Sequence, residues 1–218
     1  MRLRVHSLIL PLATSLCTMA APALAGVDDL ESIGPDLTPV TTRIIEGVTV
    51  TISTAQGSDL LARTYGVPPA AFLGSGGLDN VPLNPENISG ERFISSSGFI
   101  GGFDVFEPII FEFSEPVTAF GFTTIDLFED GAPPTDFLSL RAFDEPGEVV
   151  NEHVRTGPWG PSGVDLDWFV SFAGGITKVH LTGDISINPG YGIDDLLLVR
   201  TPVSVERASW GGVKGQYR

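Results

Sequence analysis

Residues 109–122 read Ile109-Ile110-Phe111-Glu112-Phe113-Ser114-Glu115-Pro116-Val117-Thr118-Ala119-Phe120-Gly121-Phe122. Ile109, Phe111 and Phe113 alternate with Ile110 and Glu112, and Phe120 and Phe122 alternate with Gly121. A period of two places every second side chain on the same face, which is the pattern of a strand with one face in a core. Glu115-Pro116 interrupts the run, so the stretch predicts two consecutive strands split by a proline-containing turn.

The same period recurs on both sides. Val48-Thr49-Val50-Thr51-Ile52-Ser53-Thr54 alternates apolar and hydroxyl side chains. Leu138, Leu140 and Ala142 alternate with Ser139 and Arg141. Trp168, Val170 and Phe172 alternate with Phe169 and Ser171. Val179 and Leu181 flank His180, and Ile193, Asp195, Leu197 and Val199 close the series. Gly, at 26 residues, and Pro, at 17, fall between these runs as turn punctuation. No long amphipathic helix is apparent, and no repeat of 20–50 residues. The expected fold is all-β: an antiparallel, jelly-roll-like β-sandwich. Residues 56–92 are read as long loops with one short helix near Ala62.

The N-terminus has a different character. Arg2 and Arg4 precede a mostly apolar stretch from Leu8 to Ala20, and Ala23-Leu24-Ala25 follows. A positive end, an apolar middle and an A-x-A exit describe a cleavable secretory signal. The apolar run is shorter than the roughly 20 residues a membrane span needs. Leu16 before Cys17 does not suit a lipid anchor. The expected organisation is a signal peptide over 1–25, a flexible acidic leader over 26–40, a β-sandwich domain over 41–202 and a short basic tail over 203–218. The product is expected to be secreted or periplasmic, with no membrane span in the mature chain.

The full chain has 12 basic and 27 acidic residues, a formal charge of −15. Residues 1–25 hold two of the basic residues and no acid, so the remainder is more acidic still. Such a chain does not bind nucleic acid or anionic membranes through bulk charge. Its single cysteine, Cys17, lies in the signal, so no disulfide is expected.

The pattern that carries chemistry is Gly190-Tyr191-Gly192-Ile193-Asp194-Asp195-Leu196-Leu197. Two adjacent carboxylates enter a very apolar strand, and alternation sends them to opposite faces. A buried carboxylate costs several kcal/mol or more unless a cation, an arginine or loop amides meet it. Hard oxygen ligands at a strand end suit Ca²⁺. Asp126, on the Phe120–Phe122 face, is the expected partner from elsewhere in the chain. The plainer reading is local hydrogen bonding to the loop. Asp126-Leu127-Phe128-Glu129-Asp130-Gly131 is not an EF-hand, because Phe128 stands where a ligand should be. Asp165-Leu166-Asp167 reads as a strand entry.

Catalytic signatures are absent from the sequence: no H-E-x-x-H helix, G-x-S-x-G elbow or P-loop. His153 and His180 are expected on exposed strand faces. Trp159, in Gly157-Pro158-Trp159-Gly160-Pro161, and Tyr191 are the candidate ligand-binding aromatics, whereas Trp168 is expected in the core. Trp210, Val213 and Tyr217 belong to a tail, Trp210–Arg218, read as a docking tag or a frayed terminus.

The run from Pro108 to Val199 resembles a broad group of exported bacterial β-sandwich domains, many of them in proteins with a PEP-CTERM sorting tail. The matching features are Phe111-Glu112-Phe113, Pro116-Val117-Thr118-Ala119-Phe120-Gly121-Phe122 with Asp126, Phe172-Ala173-Gly174-Gly175-Ile176, and Gly192-Ile193-Asp194-Asp195-Leu196. The ending is also similar to the Ile-Asp-Asp of jelly-roll adhesion and carbohydrate-binding modules, which implies structural calcium near the last strand. The sorting tail itself is missing: no Pro-Glu-Pro, apolar span or basic cluster ends the sequence. The expected function is a non-enzymatic, calcium-stabilised binding module for an extracellular glycan or matrix component. The alternatives are a structural surface protein and a carbohydrate-active hydrolase using paired carboxylates.

Overall fold

A computed structural model describes residues 25–64, 89–96, 108–129, 137–156, 162–184 and 192–200. These form ten strands: β1 (Ala25–Asp28), β2 (Thr42–Ile45), β3 (Val48–Thr54), β4 (Leu60–Thr64), β5 (Arg92–Ser96), β6 (Ile109–Glu129), β7 (Phe137–Phe143), β8 (Val149–Thr156), β9 (Ser162–Asp184) and β10 (Gly192–Val199). Every pairing between them is antiparallel. The described residues contain no helix, as the alternation predicts, and Ala62 lies in a strand rather than in the expected short helix.

The architecture turns on β6 and β9. Pro116 does not end β6: the strand continues through it for 21 residues. The first half of β6 pairs with β3 through Val50↔Phe113 to Thr54↔Ile109, and its second half pairs with β10 through Ile125↔Gly192 to Ala119↔Val199. Strand β9 follows it on the other side, as Ile109↔Leu181 in one half and Phe120↔Val170 in the other. The hydrogen-bonded sheet therefore folds over into two layers. One layer has the order β2-β3-β6-β9-β7-β8. The other has β4-β5-β10-β6-β9, with β1 beside the far end of β10.

The fold-over is visible within a single strand. Phe111 and Phe120 are nine residues apart, a span of about 30 Å if extended at 3.3 Å per residue. Their ring centroids lie 4.9 Å apart, and Phe113 meets Phe120 at 5.0 Å. Proline explains where the ladder yields, because it has no N–H to donate. The ladder register shifts between Glu112 and Val117. Opposite it, Gly175 has φ +98° and lies so close to Pro116 that an added Cβ would stand 2.9 Å from the proline Cβ.

The core fills the space between the layers with Val48, Val50, Ile52, Phe111, Phe120, Phe122, Leu138, Leu140, Trp168, Val170, Val179 and Leu181. Each such side chain contributes about 1.5–3 kcal/mol when removed from water. Trp168 is fully buried, as expected, and its Nε1–H donates to Thr124 Oγ1 at 2.9 Å, so burial leaves no polar atom unmet there.

Two expectations need correcting. The stretch 26–40 is not a loose leader: β1 pairs with β10, Leu30 is fully buried, and Ile33 and Val40 join the core. Asp28 is gripped by Arg43, Nε to Oδ2 at 2.5 Å and Nη2 to Oδ1 at 2.9 Å. His153 is not on an exposed face but is half-buried, 5.4 Å from Trp168 across the side of the sandwich. It stands in a row. Asn151 Nδ2 donates to the Ser171 carbonyl at 2.7 Å, His153 hydrogen-bonds the backbone of Phe169, and Arg155 Nη2 donates to the Asp167 carbonyl at 3.4 Å. Three alternate side chains of β8 thus meet alternate backbone positions of β9. They cover an edge that would otherwise offer its carbonyls to another strand.

Candidate functional site

The Asp194–Asp195 doublet lies where β10 changes neighbours. Gly192 and Ile193 pair with β5, and Leu196 to Val199 pair with β1. Against β6, Asp194 faces Thr123 and Leu197 faces Gly121, so β10 carries one extra residue there, a β-bulge. Asp195 has φ +51°, a conformation that Asp tolerates better than most residues. The bulge overrides simple alternation, and both carboxylates are buried, at 0% and 1% exposure. One of their described bonds lies within the doublet and the other reaches a distant segment. The Asp195 N–H donates to Asp194 Oδ1 at 2.7 Å, and the Ser89 hydroxyl donates to Asp195 Oδ1.

Next to Ser89, Gly90 (φ +70°) presses on the carboxylate of Glu31, whose Oε1 accepts the N–H groups of Glu91 at 2.6 Å and Arg92 at 2.8 Å. The 28–31 turn and the 89–92 segment therefore bring a further acid near the doublet, an approach that no spacing in the sequence reveals. Among the described residues, no three acidic, histidine or cysteine side chains converge as metal ligands. The backbone of Asp126 lies in β6 three positions from the Thr123 that faces Asp194, and its side chain is outside the description. Trp159, Tyr191 and the tail Trp210–Arg218 also fall outside the described residues.

A second group was not singled out by its spacing. On the outer face of the first layer the register lines up Thr51, Glu112, Lys178 and Phe143 in one row, and Ser53, Ile110, His180, Arg141 and Glu152 in the next. His180 packs on Phe143 with ring centroids 4.7 Å apart, and Lys178 Nζ stands 5.7 Å from the centre of the same ring. Arg141 Nε donates to Glu152 Oε1 at 2.7 Å, and Ser139 Oγ donates to the same oxygen at 2.5 Å. Burial pushes the His180 imidazole below its ordinary pKa; Lys178 and Arg141 push the same way, and Glu112 opposes them. The neutral form of the ring is thus favoured, which suits a histidine between two cations. The hydrogen bond from Ser139, then that from Arg141, holds Glu152 below the usual carboxylate value.

Alternation along β7 and β9 puts Arg141 and His180 on the non-core face, and that much is readable from sequence. Their meeting with Phe143, Lys178 and Glu112 depends on the register of three strands, which no local pattern encodes.

No family model and no curated protein matches the chain. Solved structures do. A DUF4465 family protein from Bacteroides caccae is 11% identical, with 82% of this chain and 100% of that chain covered, at a TM-score of 0.50. The K2 cleaved adhesin domain of Lys-gingipain is 16% identical over 80% of this chain and 97% of its own, at 0.44. The K3 cleaved adhesin domain of Lys-gingipain from Porphyromonas gingivalis is 14% identical over 83% and 99%, at 0.40. At such identities the likeness concerns architecture: the chain is similar to β-sandwich domains in strand layout.

Proposed function

We propose that this chain is an exported, non-enzymatic binding module that engages an extracellular glycan or matrix component through the outer face of the β2-β3-β6-β9-β7-β8 layer. The observation that carries this is the row structure around Phe143. A half-buried aromatic ring is flanked by cationic donors, Lys178 and Arg141, and by carboxylate acceptors, Glu112 and Glu152, on a rigid sheet. A pyranose offers the complement, an apolar C–H face ringed by hydroxyls that both donate and accept. Rigid strands hold such groups more precisely than loops do.

The alternative of a hydrolase working through paired carboxylates finds no support at the Asp194–Asp195 doublet, because both side chains are buried. Their burial does suit a structural role, and we propose that Asp194 and Asp195 ligate calcium, with Asp126 as the expected third acid. The A-x-A motif and the apolar N-terminal run support export. Among the described residues no helix is long and apolar enough to cross a membrane.

A glycan array probed with residues 26–218 tests the proposal. Binding that falls at least tenfold in Phe143→Ala, a loss of about 1.4 kcal/mol, supports it. Binding to no glycan and to no matrix polymer favours a purely structural surface protein.

A further inference from the structure

Strand β1 pairs antiparallel with β10 as Ala25↔Val199, Gly26↔Leu198, Val27↔Leu197 and Asp28↔Leu196. The peptide bond joining Ala25 to Gly26 therefore lies inside a strand pair. It is also the bond that follows Ala23-Leu24-Ala25.

Several contacts hold this strand down. Arg43 forks onto Asp28 with two hydrogen bonds, and Leu30 is fully buried two residues further on. Gly26 itself is pressed against the β2–β3 hairpin. A Cβ there would stand 2.6 Å from Glu46 Cγ, 2.9 Å from Ile45 Cγ2 and 3.2 Å from Glu46 Oε1. Glycine is the residue that fits, and a carboxylate lies beside it.

We propose that the Ala25–Gly26 bond is a processing site that folding closes: it is hydrolysed while β1 is free and protected once β1 has joined β10. This rests on the export reading. Water adds across the amide, leaving a carboxylate on Ala25 and an ammonium on Gly26. A peptidase takes its substrate as an extended strand with its backbone available for pairing. In the folded chain one edge of that backbone is already committed to β10, so hydrolysis must wait for local opening, and its rate follows the open population. Once the bond is cut, the new ammonium of Gly26 sits beside Glu46, and the shortened strand keeps the Gly26, Val27 and Asp28 pairs. Cleavage thus precedes the last step of sheet assembly, and the mature N-terminus becomes part of the sheet rather than a dangling end.

The test compares precursors of residues 1–218 in mild detergent, incubated with purified signal peptidase and followed by mass spectrometry. The wild type is folded first and checked by circular dichroism. Trp168→Asp places a charge in the centre of the core and supplies the unfolded substrate. Cleavage after Ala25 at least about tenfold faster in Trp168→Asp than in the folded wild type is expected, from the free energy of opening a docked terminal strand. Arg43→Ala, which frees Asp28 and leaves the core intact, is expected to be cut faster than the wild type. Equal rates in folded wild type and Trp168→Asp, or in wild type and Arg43→Ala, overturn the proposal while leaving the export reading standing. An unfolded precursor that is not cut after Ala25 overturns both.

Discussion

Gly175 of β9 and Pro116 of β6 interlock at the fold-over of the sandwich: the proline Cβ occupies the space where a side chain at position 175 would begin, 2.9 Å from that point. Gly175 also has φ +98°, outside the range that other residues adopt without strain. Next to them Val117 faces Ile176, both fully buried, so the bend is locked into the core. A residue without an N–H and a residue without a side chain meet where the two layers exchange strands.

Gly175→Ala is therefore expected to destabilise the domain by about 1–3 kcal/mol, from backbone strain and overpacking together. Urea unfolding followed by tryptophan fluorescence reads this directly. An unchanged midpoint would mean that the bend relaxes without cost.

Stability is expected to fall as pH drops below neutrality. Burial holds His153 below its ordinary value, aided by the Arg155 charge and opposed by its bond to Phe169; His180 is shifted down as well. The unfolded chain takes up these protons near pH 6.5 and the folded chain only at lower pH, so the unfolded state binds more protons in between. The stabilisation is present above about pH 6.5 and is lost as pH falls from there towards the folded values. Melting temperatures should decline between pH 7.5 and 5, and the His153→Gln, His180→Gln double variant should flatten that slope. A parallel slope in the double variant would assign the effect to other groups.

Calcium is expected to raise the melting temperature of the wild type. A ligand that binds only the folded state adds about 2.7 kcal/mol at a hundredfold excess over its dissociation constant. Asp195→Asn retains a residue that accepts positive φ and removes the charge, so it should abolish the calcium response while the fold persists. Identical melting curves in chelator and in calcium for the wild type would assign the doublet to hydrogen bonding of the kind made with Ser89 and the Asp195 amide.

Asn151→Leu should cost about 1 kcal/mol, the net worth of one hydrogen bond, because the Ser171 carbonyl loses its donor. It should also promote self-association, since the freed edge of β9 can then accept a foreign strand. Sedimentation velocity at rising concentration checks this, and a strictly monomeric variant would argue that the Arg155 and His153 bonds suffice.

What the amino-acid order alone determined is the class of structure. Val48–Thr54 alternates as half-buried strand, Trp168, Val170 and Phe172 mark one face, and the solid apolar run Leu196–Val199 belongs to a strand buried along its length. These are properties of neighbours in the chain, and a period of two survives whatever the partner strand is. Tertiary structure decided the rest. Pro116 reads as a break and acts as a bend, because Gly175, 59 positions away, makes room for it. Asp194 and Asp195 read as an alternating pair and form a bulge, at the point where β5 and β1 occupy successive stretches of the same edge of β10. Residues 26–40 read as polar and loose, yet Arg43 and the edge of β10 hold them. Phe143, His180 and Lys178 meet because β7 and β9 settle in one register. Register is selected by the burial of all the strands at once, so it cannot be read from any one of them.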